Sequence, residues 1–243
     1  MPAAKRSKAA LAGEVRAVLA SLEKQASRKY REDMASRYGI VVKKAWGVPM
    51  GAIQKVARSL GRDHELALAL WDTGWYDART LAAYVDDPAK VTPAQMDRWC
   101  RDFDNWGIVD TVCFVLFDRT PHAYGKVSAW AGRRDEFQRR ASFVLMACLA
   151  LHDKTAGDDA FRKFLPLAER AASDGRNFVK KGISWALRSI GRRSPELNDA
   201  TVTVARRLAD SADAAPRSLG KEVLRELTSP KVTRALKAKR AAR

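Results

Sequence analysis

The 243-residue chain carries 45 Lys and Arg against 28 Asp and Glu, a formal charge of +17, with 47% apolar residues. That apolar content excludes a disordered basic tail and is enough for one large domain, or two small ones, with a sizeable core. The positive excess points to a polyanionic partner, nucleic acid before a membrane surface. A solubilising basic surface and a ribosome-associated protein are the blander readings.

The chain opens basic, but Glu14, Arg16 and Glu23 interrupt any signal-peptide core. Leu11, Val15, Val18 and Leu22 recur at three and four, which predicts an amphipathic helix. Residues 39–44, GIVVKK, are the best strand candidate, and Pro49 opens the helix after them. Thr92-Pro93 reads as an N-cap followed by Pro in the first turn, and Ser194-Pro195 repeats the signal. The longest apolar run, residues 141–151, is shorter than the roughly 18 residues a membrane span needs. Phe161, Phe164 and Ala168, and later Val202, Ala205 and Leu208, keep the helical period. Gly39, Gly61, Gly74, Gly132 and Gly191 fit helix ends.

These signals predict an all-α chain of about eleven or twelve helices of roughly 10–18 residues. From Leu66 onward the helices pair at about 35–45 residues, the spacing of HEAT-type repeats, which stack into a solenoid. A long helical bundle fits the periodicity as well. One domain spanning 1–243 is expected, with short basic tails at about 1–8 and 231–243. Cys100, Cys113 and Cys148 form no CxxC pair and read as reduced core thiols of a cytosolic protein. His64, His122 and His152 are isolated, so no metal site is expected.

Three stretches carry candidate chemistry. In residues 103–117, FDNWGIVDTVCFVLF, Asp110 is a carboxylate inside an apolar run, four residues after Trp106. On a helix the two face the same way, with Asp104 or Asn105 as the cap. The same spacing fits a core Trp with an Asp bonded to a neighbouring Arg. In residues 134–153, Arg140 lies at the edge of the face formed by Phe137, Ala141, Val144 and Cys148, whereas Arg139 points about 100° away, toward solvent. In residues 177–193, Val179, Ile183, Ala186, Leu187 and Ile190 form a core stripe. Phe178, Lys181, Trp185, Arg188 and Arg192 form a second one. A basic stripe centred on Trp185 suits DNA, and also an interhelix cation–π contact.

Trp106-x-x-x-Asp110, then Phe137-x-x-Arg140-Ala141, then Phe178-x-x-Lys181-x-x-x-Trp185-x-Leu187-Arg188 resemble, in that order, the AlkD-type DNA alkylation-repair glycosylases. The likeness runs from about Arg28 to Arg192. It implies a HEAT-like α-α superhelical solenoid whose concave basic face grips duplex DNA. It also implies hydrolysis of the N-glycosidic bond of positively charged N3- and N7-alkylpurines. By the same resemblance Asp110 is the catalytic carboxylate, and Trp106 and Trp185 border the lesion's sugar and base. Arg140 holds the nearby phosphate, with Lys181 and Arg188 as further phosphate-binding cations. Two positions depart from the pattern: Asn105 stands where the family often has a second Trp, and Gly107 where it has an acid.

A cationic alkylpurine is already a good leaving group, so no strong general acid is required. A fixed carboxylate can stabilise the oxocarbenium-like sugar and align water. No Lys is placed as a Schiff-base nucleophile, so a monofunctional enzyme without lyase activity is expected. No cofactor is implied. The expected protein is a cytoplasmic, nucleoid-associated monomer with no membrane partner, acting on double-stranded DNA that contains alkylated bases. The alternatives are a non-catalytic HEAT-like protein binding bent, branched or damaged nucleic acid, and a helical protein-interaction scaffold.

Overall fold

A computed structural model describes residues 6–241, which are helical without a strand. They divide into two compact units, the chain passing from one to the other between Thr120 and Pro121.

The N-terminal unit contains α1 (Lys8–Glu23), α2 (Arg28–Ser36), α3 (Met50–Leu60), α4 (His64–Asp72), α5 (Tyr76–Val85), α6 (Pro93–Arg101) and α7 (Trp106–Val115), closed by a 3-10 turn. The starts are set locally. The side chains of Ser7, Ser27, Asp63, Thr92 and Asn105 each accept from the N–H three residues on. Each such cap satisfies one of the first-turn donors and contributes about 1 kcal/mol. Helix α5 packs against α3, α4 and α7. The core is built on the stacked indoles of Trp71 and Trp99, 3.9 Å apart, with Phe103 edge-on to Trp71.

Residues 39–44 do not form the expected strand. No neighbouring strand is present among the described residues to pair with them. Gly39, at φ 63°, turns the chain out of α2 in the left-handed region that favours glycine. The segment that follows is held by α5 instead. Tyr76 donates its N–H to the Lys44 carbonyl at 2.9 Å. The fully buried Asp77 carboxylate accepts from the Trp46 and Val48 N–H groups, both at 2.8 Å.

The C-terminal unit contains α8 (Ala123–Trp130), α9 (Glu136–His152), α10 (Asp158–Arg162), α11 (Leu165–Ala171), α12 (Asn177–Gly191), α13 (Pro195–Ala209), α14 (Ala214–Leu227) and α15 (Pro230–Ala241). Helix α9 is buried along most of its length, with α8 and α12 against it, and α12 also packs on α13 and α14. Cys100, Cys113 and Cys148 are buried thiols. No helix among the described residues is long and apolar enough to cross a membrane.

Several expectations need correction. The helices are more numerous and some are shorter than expected; α10 has five residues. The period through Phe161, Phe164 and Ala168 spans two helices, because Pro166 lacks an N–H and breaks the ladder. Gly191 stands at a helix end as expected: it is the last residue of α12, and a Cβ there would meet Leu227 Cδ1 at 2.4 Å. The basic C-terminal stretch is a helix, not a tail. Val232 and Leu236, one turn apart, are buried, and Lys239 donates to the Arg192 and Arg193 carbonyls. At the other end, Arg6 is ion-paired with Glu14 and Asp63. Ser7 caps α1 and Lys8 is its first residue, so that end is not a tail from residue 6 onward; residues 1–5 lie outside the described residues.

The α13–α14 crossing gives a sharp test. A Cβ on Gly220 would lie 2.3 Å from the Ala209 nitrogen and 2.6 Å from the Ala205 oxygen, backbone atoms that cannot yield. Gly220→Ala is expected to lose about 3 kcal/mol or more in urea denaturation. Gly125→Ala in α8, with nothing within 4 Å of the new Cβ, gains up to about 1 kcal/mol.

Candidate functional site

The six residues singled out from the sequence fall in both units, and each group is described within its own.

In the N-terminal unit, Asn105 caps α7 by accepting from the Ile108 N–H at 3.0 Å. Ile108, Val109, Val112 and Cys113 bury one side of the helix. Trp106 and Asp110, one turn apart, stay half-buried on the other side, with Phe114 a turn further on and 40% exposed. Trp106 leans on a small apolar cluster of Met34, Ile40 and Ala45, shared with Tyr30, Val42 and Tyr76. Its indole N–H donates to the Tyr38 carbonyl at 2.8 Å. The ring is therefore held at its nitrogen end, and Asp110 follows one helical turn later.

The departure at Gly107 has a steric cause. A Cβ there would lie 2.8 Å from Ile40 Cδ1 and 2.9 Å from the Tyr76 hydroxyl. The space an acidic side chain would need is filled. Burial first, then the neighbouring Tyr30 and Asp77, push the Tyr76 hydroxyl well above its usual pKa, so it is neutral at physiological pH.

In the C-terminal unit, α9 and α12 bring Arg140, Lys181, Trp185 and Arg188 onto two packed helices. The two stripes predicted for α12 appear as buried Val179, Ile183, Ala186, Leu187 and Ile190 against half-buried Phe178, Trp185 and Arg188 and exposed Lys181. Phe178 sits 5.5 Å from the Phe137 ring. Arg140 is only 5% exposed and donates to the Phe178 carbonyl at 2.7 Å. Its side chain thus ties α9 to the first turn of α12.

Charge pairing separates the cations. Arg188 pairs with Glu226 of α14 at 2.9 Å, and Arg192 shares the same carboxylate. Arg139 is not solvated as its helix angle suggested. It pairs at 2.9 Å with Asp174, whose side chain is 6% exposed and which also receives Arg176. Sequence reasoning missed Glu226, Asp174 and Asp77. Each acts on a partner some 30 residues or more away, and no local pattern announces it.

Among the described residues, no group of three or more His, Cys, Asp and Glu is placed to hold a metal ion. The arrangement offers a carboxylate beside an indole in one unit and an aromatic–cationic helix face in the other.

The sequence model of the family described as DNA alkylation repair enzyme matches residues 18–226, and the chain belongs to that family. A similar solved structure is that of "a new family of proteins related to the HEAT-like repeat DNA glycosylases with affinity for branched DNA structures". It superimposes with a TM-score of 0.70 at 21% identity, covering 88% of this chain and 95% of that chain. At that identity the likeness shows the fold, an all-α HEAT-like one, as the helix pairing predicted. No curated protein is significantly similar in sequence.

Asp174 gives a pH test. Hydrogen bonds from Arg176, working against the cost of burial, and the charges of Arg176 and Arg139 hold its carboxyl below the ordinary range. A depressed folded pKa adds stability above the unfolded value of about 3.9, which is lost as pH falls through the folded pKa. Asp174→Asn is expected to cost about 1–3 kcal/mol in urea denaturation at neutral pH. The gap from wild type narrows below about pH 4; a gap that does not change with pH would contradict the assignment.

Proposed function

We propose that the protein is a monofunctional DNA glycosylase that hydrolyses the N-glycosidic bond of positively charged N3- and N7-alkylated purines in duplex DNA. It would work as a monomer on the nucleoid in the cytoplasm, with the basic face of its helical repeats against the duplex. The observation that carries this reading is α7. It buries four apolar side chains yet keeps Asp110 half-buried one turn after the half-buried Trp106, in a member of a DNA alkylation repair family.

In this reading the lesion's own positive charge makes the purine a good leaving group. As the C1′–N bond lengthens, its electron pair goes to the purine and positive charge spreads over C1′ and the ring oxygen. The Asp110 carboxylate stabilises that charge and orients the water that adds at C1′, which then loses its proton. The products are the free alkylated base and an abasic site. Trp106 and Trp185 offer indole faces to the cationic lesion and sugar, a preference of about 0.5–2 kcal/mol each. Arg140, Lys181 and Arg188 are the proposed phosphate contacts, with Arg140 committed in part to the Phe178 carbonyl and Arg188 to Glu226.

Gly107 and the similar solved structure favour a second reading, a non-catalytic protein that binds branched DNA. The position of the family's acidic residue is closed by Ile40 and Tyr76, and that structure is described as having affinity for branched DNA.

Release of methylated purines from alkylated duplex separates the two. The wild type is expected to release base, and Asp110→Asn to be at least about 100-fold slower, about 2.7 kcal/mol of barrier. Equal rates would remove Asp110 from the mechanism, and no release by the wild type would favour the binder.

Lys181 is the cleaner probe of the phosphate contacts, being exposed on α12. Lys181→Ala is expected to weaken duplex binding and to lower the slope of log K against log salt by about 0.9, whichever the sequence. An unchanged slope would exclude it from the interface.

A further inference from the structure

The segment after α2 has a shape that neither base hydrolysis nor core packing requires. Tyr38 is 45% exposed and Val41 76% exposed, while Ile40 between them is buried in the cluster under Trp106. Val41, Lys43 and Lys44 help to line a groove of ≈620 Å³ together with Tyr76, Asp104 and Ile108. The tip is therefore a raised ridge carrying apolar side chains into solvent.

The ridge is also rigid. Its base is clamped by the two N–H groups on Asp77 and by the Tyr76 N–H on the Lys44 carbonyl. The Trp46 ring stacks on Trp75 at 3.8 Å and 3°. At its other end, the Ile40 N–H donates to the Met34 carbonyl at 2.7 Å, and the Tyr38 carbonyl takes the Trp106 indole N–H. A flexible loop would fold two exposed apolar side chains back onto the protein; this one is held from doing so.

Charge favours a polyanionic partner. Residues 34–62 contain Arg37, Lys43, Lys44, Lys55, Arg58 and Arg62 and no Asp or Glu. Lys43 and Lys44 are exposed beside Val41, while Arg37, 5.8 Å from the Tyr38 ring centroid, is paired with Asp33 at 3.8 Å. Apolar side chains on a rigid tip between cations match a polyanion with an apolar interior, which is duplex DNA. Proteins that kink DNA insert such wedges between base steps and repay the unstacking with phosphate contacts.

We propose, resting on the DNA-acting reading above, that loop 38–44 is a DNA wedge. Val41 and Tyr38 enter an unstacked step next to the lesion while Lys43 and Lys44 hold the flanking phosphates. Through the Tyr38–Trp106 hydrogen bond the wedge is registered to the helix that carries Asp110. A nucleotide step that is already weakened, at an alkylated or abasic position or a branch, is the one it enters most readily.

The test uses a duplex with 2-aminopurine beside a tetrahydrofuran abasic site, read by fluorescence at saturating protein, with affinity read separately by anisotropy. The wild type is expected to raise the fluorescence several-fold. Val41→Ser, an exposed change whose fold is checked by circular dichroism, should lose most of that rise with affinity within about threefold. The Lys43→Ala/Lys44→Ala double variant should keep the rise at saturation and reduce the salt slope by about two. The same rise in Val41→Ser, or binding by the wild type without any rise, overturns the wedge alone. A wild type that does not bind duplex at all overturns the wedge together with the DNA reading.

Discussion

A helix that is apolar on one side can pack in only one rotation, and α7 is such a helix. Burying Ile108, Val109, Val112 and Cys113 leaves Trp106, Asp110 and Phe114 on the other side. The packing of the helix thereby sets the side on which the carboxylate stands. An isolated buried carboxylate would be costly, and the same rotation keeps Asp110 at the boundary of water. What the core leaves loose is the indole, and the Tyr38 carbonyl and the apolar cluster beneath residues 34–45 hold it. Residues of the N-terminal unit thus back the face that carries Trp106, and Gly107 leaves room for Ile40 and Tyr76 there.

The C-terminal unit solves a different problem, that of concentrating cations on α9 and α12 without losing stability to their repulsion. Acidic side chains at the edge of the packing neutralise the cations that would otherwise crowd. Asp174 takes Arg139 and Arg176, and Glu226 takes Arg188 and Arg192. Lys181, on the same stripe as Trp185, is exposed. Arg140 is built into the helix pair through the Phe178 carbonyl, so its position is set by the fold, which suits the phosphate contact proposed for it. A preorganised cation binds an anion with less ordering cost than a mobile one.

The helical face of each site was legible because its causes are local. The period of 3.6 separates the two stripes of α12, and caps such as Asn105, Thr92 and Ser194 declare the starts of their helices within three residues. What was not legible depends on partners far along the chain. The loop after α2 read as a strand because GIVVKK has strand composition, whereas its far end is tied to α5 by the Tyr76 N–H on the Lys44 carbonyl, and the chain just beyond it by Asp77, about 30 residues later. Arg139 read as solvated because its acid lies 35 positions away. The C-terminal helix read as a tail because its charge obscured the pair of buried positions, Val232 and Leu236. The resemblance supplied the roles of Trp106, Asp110, Arg140 and Trp185; periodicity supplied only the faces on which they stand.

The central claim is that Asp110 faces the positive charge that forms on the sugar. Its most direct measurement is the affinity for two duplexes, one with a cationic aza-sugar at the lesion position and one with a neutral tetrahydrofuran there. A carboxylate complementary to the transition state favours the cation by at least about tenfold, about 1.4 kcal/mol, and Asp110→Asn abolishes the preference. Equal affinity of the wild type for the two duplexes would contradict the account.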